Sequence, residues 1–256
     1  MKTFRKDLLK VNVYDTRAEM GAAAAADVKE RIVATVKEKG TVNMIFAAAP
    51  SQNEVLEALA ADSDIPWERV NAFHMDEYIG LASDAPQGFG NFLRAHIFGK
   101  ANFGSVSYID STAEDAEAEC ERYAELLKKH PVDIVVMGIG ENGHIAFNDP
   151  PVADFCDPKT VKTVPLDEIC RNQQVHDGCF SKLNDVPKTA ITLTVPTLFA
   201  GKYLFCIVPA STKAKAVFDT IEGDIGEQCP ATILRRHKNA VLYLDKDSGA
   251  LLENVI

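Results

Sequence analysis

The chain has 256 residues, of which 46% are apolar and 25% charged, and its formal net charge is −10. That length and apolar content suffice for a sizeable core. An acidic balance with no basic patch excludes nucleic acid and anionic membrane surfaces as expected partners, and no run approaches membrane-spanning length.

In chain order, Val11-Asn12-Val13-Tyr14 reads as a short first strand. Asp15 or Thr16 then caps a long helix that runs through the alanines 22–26 to about Lys39 and stops at Gly40. Val42–Ala47 is the next buried strand, and Ser51 is expected to cap a helix over Asn53–Ala61. Val70–Met75 is a third strand, ending at Asp76-Glu77-Tyr78. A short strand near Val106–Ile109 precedes a helix from Ala113 to Lys129, whose sheet-facing stripe is Ala116, Cys120, Tyr123, Leu126 and Leu127. Val132–Met137 is a buried strand that runs into Gly138-Ile139-Gly140-Glu141-Asn142-Gly143-His144. An irregular stretch with Pro150, Pro151 and Pro158 follows. Strands at Ile191–Val195, Tyr203–Val208 and Ala240–Leu244, with a helix over Ser211–Ile221, complete the pattern. Strand–helix alternation without repeats or linkers predicts one α/β domain over residues 1–256. Its expected form is a doubly wound, mostly parallel sheet with helices on both faces.

Three clusters carry chemistry. Asp76 and Glu77 follow a strand, where one carboxylate can face a site and abstract a proton beside a carbonyl while the other holds a neighbour. By itself this pair also reads as a solvated acidic turn. The glycine turn delivers His144 with Glu141, Asn142 and Asp149 to a strand end, where open α/β sheets bind ligands. A histidine there moves protons near neutral pH, and a carboxylate can fix its tautomer. No second histidine lies nearby in sequence, so no metal site is expected. Third, Pro209-Ala210-Ser211-Thr212-Lys213 joins a strand to a helix, a plausible anion site, though also an ordinary capped helix start. The six cysteines form no CxxC pair and fit reduced thiols in a cytoplasmic protein, which the lack of a signal-like stretch after Met1 also suggests.

Together these segments resemble the glucosamine-6-phosphate deaminase/isomerase family, within the group that includes 6-phosphogluconolactonases. Phe73-His74-Met75-Asp76-Glu77-Tyr78-Ile79-Gly80-Leu81 is similar to the family's NMDEYxGL segment, and residues 138–150 (GIGENGHIAFNDP) to its GxGxxGHIAFNEP segment. Residues 186–194 (VPKTAITLT) resemble its VPxxAxT strand, Lys213 matches the lysine of its GxxKA turn, and Glu222-Gly223 its xEG. The continuation Ile145-Ala146-Phe147-Asn148 favours the deaminase branch. The resemblance implies a Rossmann-like fold and an amino-sugar substrate, with no cofactor. Asp76 would move a proton between C2 and C1 of an open-chain sugar, and His144 would open the ring. Asn142 and Asp149 would orient and tune that histidine, with Glu141 as a nearby carboxylate. Lys213 would bind the phosphate, with Ser51 and Glu77 also on the substrate side, and Phe180 would match an aromatic residue of a lid. A homo-oligomer is compatible with the resemblance.

Three departures stand out. The family's LPTGGTP turn is replaced by Phe46-Ala47-Ala48-Ala49-Pro50-Ser51-Gln52-Asn53-Glu54, which has no glycine, loses a donor at Pro50 and adds a negative charge at Glu54. The lid-like stretch His176-Asp177-Gly178-Cys179-Phe180 lacks the family's arginine, and Arg171 is the nearest. Asn142 and Asp149 stand where the family usually has Asp and Glu. The catalytic half of the motif set is thus kept better than the phosphate half, which suggests a retained reaction on an altered sugar, such as a sugar acid or an amino sugar without a 6-phosphate. Two other readings remain at this point: hydrolysis of a sugar lactone on the same fold, and a sugar-phosphate sensor. The acidic chain has no spare length for a DNA-binding segment, which counts against the sensor.

Overall fold

The computed structural model describes residues 1–252. The chain opens with a hairpin, β1 (Lys2–Lys6) and β2 (Leu9–Tyr14), turned at Asp7 with φ 51°. The apolar pattern of the sequence marks only its second half. The first half is an edge strand with no buried residue, so it carries no apolar signal. Helix α1 (Arg17–Lys39) begins at Thr16, whose hydroxyl accepts the Glu19 amide, and ends at Gly40, as its capping pattern predicts. There follow β3 (Val42–Phe46), α2 (Asn53–Ala60), β4 (Val70–His74), β5 (Asp76–Tyr78), α3 (Phe89–Leu93), β6 (Ser105–Ser107), α4 (Ala116–Lys129) and β7 (Ile134–Met137). Then come β8 (Val161–Pro165), α5 (Glu168–His176), β9 (Thr189–Leu193), α6 (Val195–Phe199), β10 (Tyr203–Val208), α7 (Ala214–Glu222) and β11 (Ala240–Asp245).

Eight strands form the main sheet in the order β1-β2-β11-β10-β7-β3-β4-β6, parallel throughout except at the β1–β2 hairpin. Central strands alternate their side chains between two cores. Met44 and Phe46 of β3 and Ile134 and Val136 of β7 join α1 and α2 on one face. Ile45, Val135 and Met137 join α4 and α7 on the other. This is the doubly wound arrangement the pattern predicts. From β3 the chain winds outward through β4 to β6, then crosses back so that β7 lies beside β3 and β10 and β11 extend the other way. The topological switch therefore falls between β3 and β7, which is where a crevice opens beyond the strand ends.

One expectation changes. The strand foreseen at 191–195 is not in the main sheet. Thr189–Leu193 is the middle of a separate antiparallel sheet, β5-β9-β8. Its four buried residues of five read like any central strand, so composition alone could not distinguish the two sheets.

Candidate active site

Three loops leave the carboxyl ends of β3, β7 and β10 and meet over the switch point. They border a cleft whose lining includes Ser51, Gln52, Asp76, Gly140, His144 and Lys213. Four of the residues singled out from the sequence thus share one wall-to-wall space.

His144 is set by its own turn. Gly143 has φ 82°, and a Cβ there would lie 2.5 Å from Cys229 Sγ. At Gly140 a Cβ would fall within 2.0–2.3 Å of the His144 ring, so the imidazole lies directly on that glycine. His144 Nδ1 is 2.8 Å from Asn142 Oδ1 and 2.9 Å from Asp149 Oδ1, and Asn142 Nδ2 donates to the same Asp149 oxygen at 2.9 Å. Two acceptors converge on Nδ1, which therefore carries the proton and leaves Nε2 as the free ring nitrogen. Burial pushes the Asp149 carboxyl up, but the His144 imidazole and the hydrogen bonds from His144 and Asn142 outweigh it and hold the group below the usual carboxylate range. The turn's far end is pinned to the small sheet: Phe147 N–H donates to Thr192 Oγ1, and Asn148 Nδ2 donates to the Ile145 and Leu193 carbonyls.

Asp76 enters from the other side, as the first residue of β5. It is buried, and burial, with the Glu77 charge beside it, raises its carboxyl well above the usual range. Glu77 points away from the cleft. Its two oxygens accept the amides of Tyr78, Phe89 and Gly90, at 2.9, 3.0 and 2.8 Å. Burial raises its carboxyl too, against those three bonds. The adjacent acids therefore divide their tasks, and Glu77 fastens the start of α3 rather than meeting a substrate.

Lys213 ends a short 3-10 turn, Ser211–Lys213, that precedes α7. No side chain caps this turn: Ala210 stands at the cap position with φ 80° and ψ 148°, and its amide donates to both carboxylate oxygens of Asp245. Lys213 is 5% exposed, and burial lowers its ammonium, while Asp177 and Glu141 pull it back up. No hydrogen bond or ion pair engages Lys213 Nζ among the described residues.

The altered loop after β3 is also a 3-10 turn, Pro50–Gln52, and Ser51 caps nothing. Its hydroxyl lines the cleft and accepts Gln52 Nε2 at 3.0 Å, while the same amide nitrogen donates to the Ile207 carbonyl at 3.1 Å. Glu54 does not line the cleft, since Arg17 holds it at 2.5 Å and also donates to the Pro50 carbonyl.

Three further sequence candidates lie outside the lining. Arg171 donates to the Leu183 and Val186 carbonyls, at 2.7 and 3.0 Å, and so ties down the segment after α5. Phe180 packs edge-on against Tyr78, at 5.5 Å between ring centres, within the core. Glu141 turns toward α5: its amide donates to Gln173 Oε1 at 2.8 Å and its carboxylate lies 3.5 Å from His176 Nδ1. Conversely, Gln52, Gln173 and Gln174 line the cleft, and no motif in the sequence marked them.

His144, Asp149 and Cys170 offer ligand atoms within 4.8 Å of one another. The geometry is that of a hydrogen-bonded pair instead. Nδ1 lies 2.9 Å from its carboxylate oxygen, whereas two nitrogen or oxygen ligands on one tetrahedral zinc stand about 3.3 Å apart.

Residues 15–243 match the family described as glucosamine-6-phosphate isomerases/6-phosphogluconolactonase. A glucosamine-6-phosphate deaminase of Listeria monocytogenes serotype 4a is 34% identical over 213 residues, 83% of this chain and 89% of the relative. One of Streptococcus sanguinis is 30% identical over 246 residues, 96% of this chain and the whole of the relative. Among solved structures, a monomeric glucosamine-6-phosphate deaminase superposes with a TM-score of 0.85 at 28% identity, covering 94% of this chain and 99% of its own. The 6-phosphogluconolactonase of Trypanosoma brucei shares the fold, with a TM-score of 0.79 at 18% identity, covering 98% of this chain and 100% of its own.

Proposed function

This chain belongs to the glucosamine-6-phosphate isomerase/6-phosphogluconolactonase family, and from that membership we propose that it converts a 2-amino-2-deoxyhexose phosphate and water into a 2-ketose phosphate and ammonia. Residues 1–256 act as one catalytic domain. The observation that carries the reading is the Asn142–His144–Asp149 triangle, which leaves His144 Nε2 free in the cleft that Asp76 also lines.

The steps follow from those groups. His144 Nε2 takes the proton of the anomeric hydroxyl and returns it to the ring oxygen, which opens the sugar to its aldehyde. Asp149 and Asn142 hold the opposite ring nitrogen, so the imidazolium formed in passing is stabilised. Ionised Asp76 removes the proton from C2, which the aldehyde makes acidic, while O1 takes a proton from the substrate's ammonium group, and an enolamine results. The same carboxyl returns the proton to C1. The C2 carbon is left as an imine, which water hydrolyses to the ketone with loss of ammonia. A carboxyl raised by burial suits the base role, because its basicity is closer to neutral pH than that of an exposed acid. Lys213 and Ser51 hold the anionic end. The deaminases of similar sequence, not the lactonases of similar fold, support the amino-sugar substrate. No helix among the described residues is long and apolar enough to cross a membrane, and its cysteines are free thiols, which supports a cytoplasmic setting.

Purified protein is offered glucosamine-6-phosphate, unphosphorylated glucosamine and 6-phosphogluconolactone, with ammonia, ketose and acid release followed separately. Equal release of ammonia and ketose from glucosamine-6-phosphate is expected. Acid release from the lactone, with no ammonia from either amino sugar, overturns the reading.

A further inference from the structure

We infer that His74, which does not line the cleft, is a positioning residue that fixes the backbone of Asp76 through a single imidazole tautomer. The inference rests on Asp76 as the base.

His74 is the last residue of β4 and is fully buried. The Ile109 backbone N–H, which can only donate, lies 2.9 Å from His74 Nε2. Nε2 is therefore the acceptor, and the ring proton sits on Nδ1. Nδ1 lies 2.9 Å from the Asp76 carbonyl, to which it donates. The tautomer is thus set by the direction of a backbone amide. Burial pulls the ring down to about 4, so it stays neutral across the range in which a base of this type works. The rings that face it are those of Tyr108 and Tyr123, and burial pushes the Tyr123 hydroxyl up.

The position of this clamp in the chain gives it its consequence. Between His74 and Asp76 the polypeptide leaves the eight-stranded sheet and enters the small one. Met75 spans the gap, its carbonyl accepting Leu193 N–H at 2.8 Å. The backbone of His74 is held as well: its amide donates to Tyr123 Oη at 2.9 Å, and that hydroxyl lies 3.0 Å from its carbonyl. His74 therefore ties the departing strand end, the segment after β6 and the peptide of Asp76 into one unit. Without the Nδ1–H donor the Asp76 carbonyl is a buried acceptor with no partner, and the peptide rotates to find one. The carboxylate on the same residue turns with it.

The two amide replacements separate the two bonds. In His74→Asn the side-chain nitrogen reaches the Nδ1 position and keeps the donor to Asp76. In His74→Gln the side-chain oxygen reaches the Nε2 position and keeps only the Ile109 contact. His74→Asn should hold kcat within about 3-fold of the unmodified enzyme, whereas His74→Gln should lose about 10–100-fold in kcat with little change in KM. The acid limb of the pH–rate profile should move in His74→Gln, because the carboxylate leaves its buried seat. Equal kcat in the two variants, or an unmoved acid limb in His74→Gln, overturns the inference. Should His74→Gln fail to fold, nitrogen NMR of the unmodified enzyme decides: a proton on Nδ1 and a bare Nε2 at His74 are expected, and the opposite tautomer overturns it. Asp76→Asn measured in parallel separates the two claims. Full activity there removes Asp76 as the base, whereas an inactive Asp76→Asn beside a fully active His74→Gln removes only the role of His74.

Discussion

Asp76 and Thr192 face each other across the β5–β9 pairing, and the Thr192 hydroxyl also accepts the Phe147 amide at 3.1 Å. The strand that carries the carboxylate and the turn that carries the imidazole are therefore registered on one residue of the small sheet. Thr192 is fully buried, so neither link is shared with solvent.

Replacing Thr192 with valine keeps the shape and removes the acceptor. The Phe147 N–H is then buried without a partner, at a cost of about 1–3 kcal/mol. Thermal unfolding should show the loss, and kcat should fall by more than KM changes. Unchanged stability would mean that Phe147 finds another partner.

Asp76→Asn should lower kcat by about 10²–10⁴-fold, the usual worth of a positioned general base. It should also stabilise the fold. The folded-state carboxyl lies above its reference value of 3.8, so above that value the unfolded chain holds fewer protons than the native one. Stability therefore falls as pH rises from about 4 through the folded-state value, and asparagine escapes that loss. At pH 7 the variant should melt higher, by about 2–4 °C for each kcal/mol recovered, and the difference should vanish near pH 3. Activity of the unmodified enzyme should show its acid limb above the range of an ordinary carboxylate.

Ala210 occupies backbone space that suits glycine, with φ 80° and ψ 148°. That strain costs about 1–3 kcal/mol, while glycine adds about 0.4–1 kcal/mol of unfolded-state entropy. Ala210→Gly should therefore stabilise by about 1 kcal/mol net, read as a higher melting temperature. The Asp245 clamp on the Ala210 amide should stay in place, so kcat should change little.

Lys213→Met removes the one lysine or arginine that lines the cleft among the described residues. A hydrogen bond to a charged group contributes about 1.5–3 kcal/mol, so KM for a phosphorylated sugar should rise by about 10–150-fold with kcat less affected. Unphosphorylated substrates should be indifferent to the change. Equal losses with both kinds of sugar would place the anion elsewhere.

Much of the fold is legible in the sequence because the central strands are short apolar runs separated by helix caps and glycines. Thr16 and Gly40 bound α1 as their types predict. The edge strand Lys2–Lys6 and the placement of β9 in a second sheet are not legible, since neither depends on local periodicity. At the site, Asp76, His144, Asn142, Asp149, Ser51 and Lys213 gather as a group because their motifs lie at strand ends that converge at the switch point. Glu77, Arg171 and Phe180 are legible as residue types but not in direction: backbone amides, carbonyls and an aromatic neighbour claim them instead. Gln52, Gln173 and Gln174 carry no charge and no spacing, so only tertiary packing brings them to the cleft.

On the proposed role of Lys213 as partner of the anion, its burial makes ligand capture a proton-coupled event. With its ammonium lowered by burial, part of the lysine population is neutral at alkaline pH. An arriving anion favours the charged form, so occupancy draws protons from solution and affinity weakens as pH rises. Calorimetric titration in two buffers of different ionisation enthalpy would show this as a buffer-dependent heat. In such a cleft the medium is a third reactant at the binding step, before any bond in the sugar has changed.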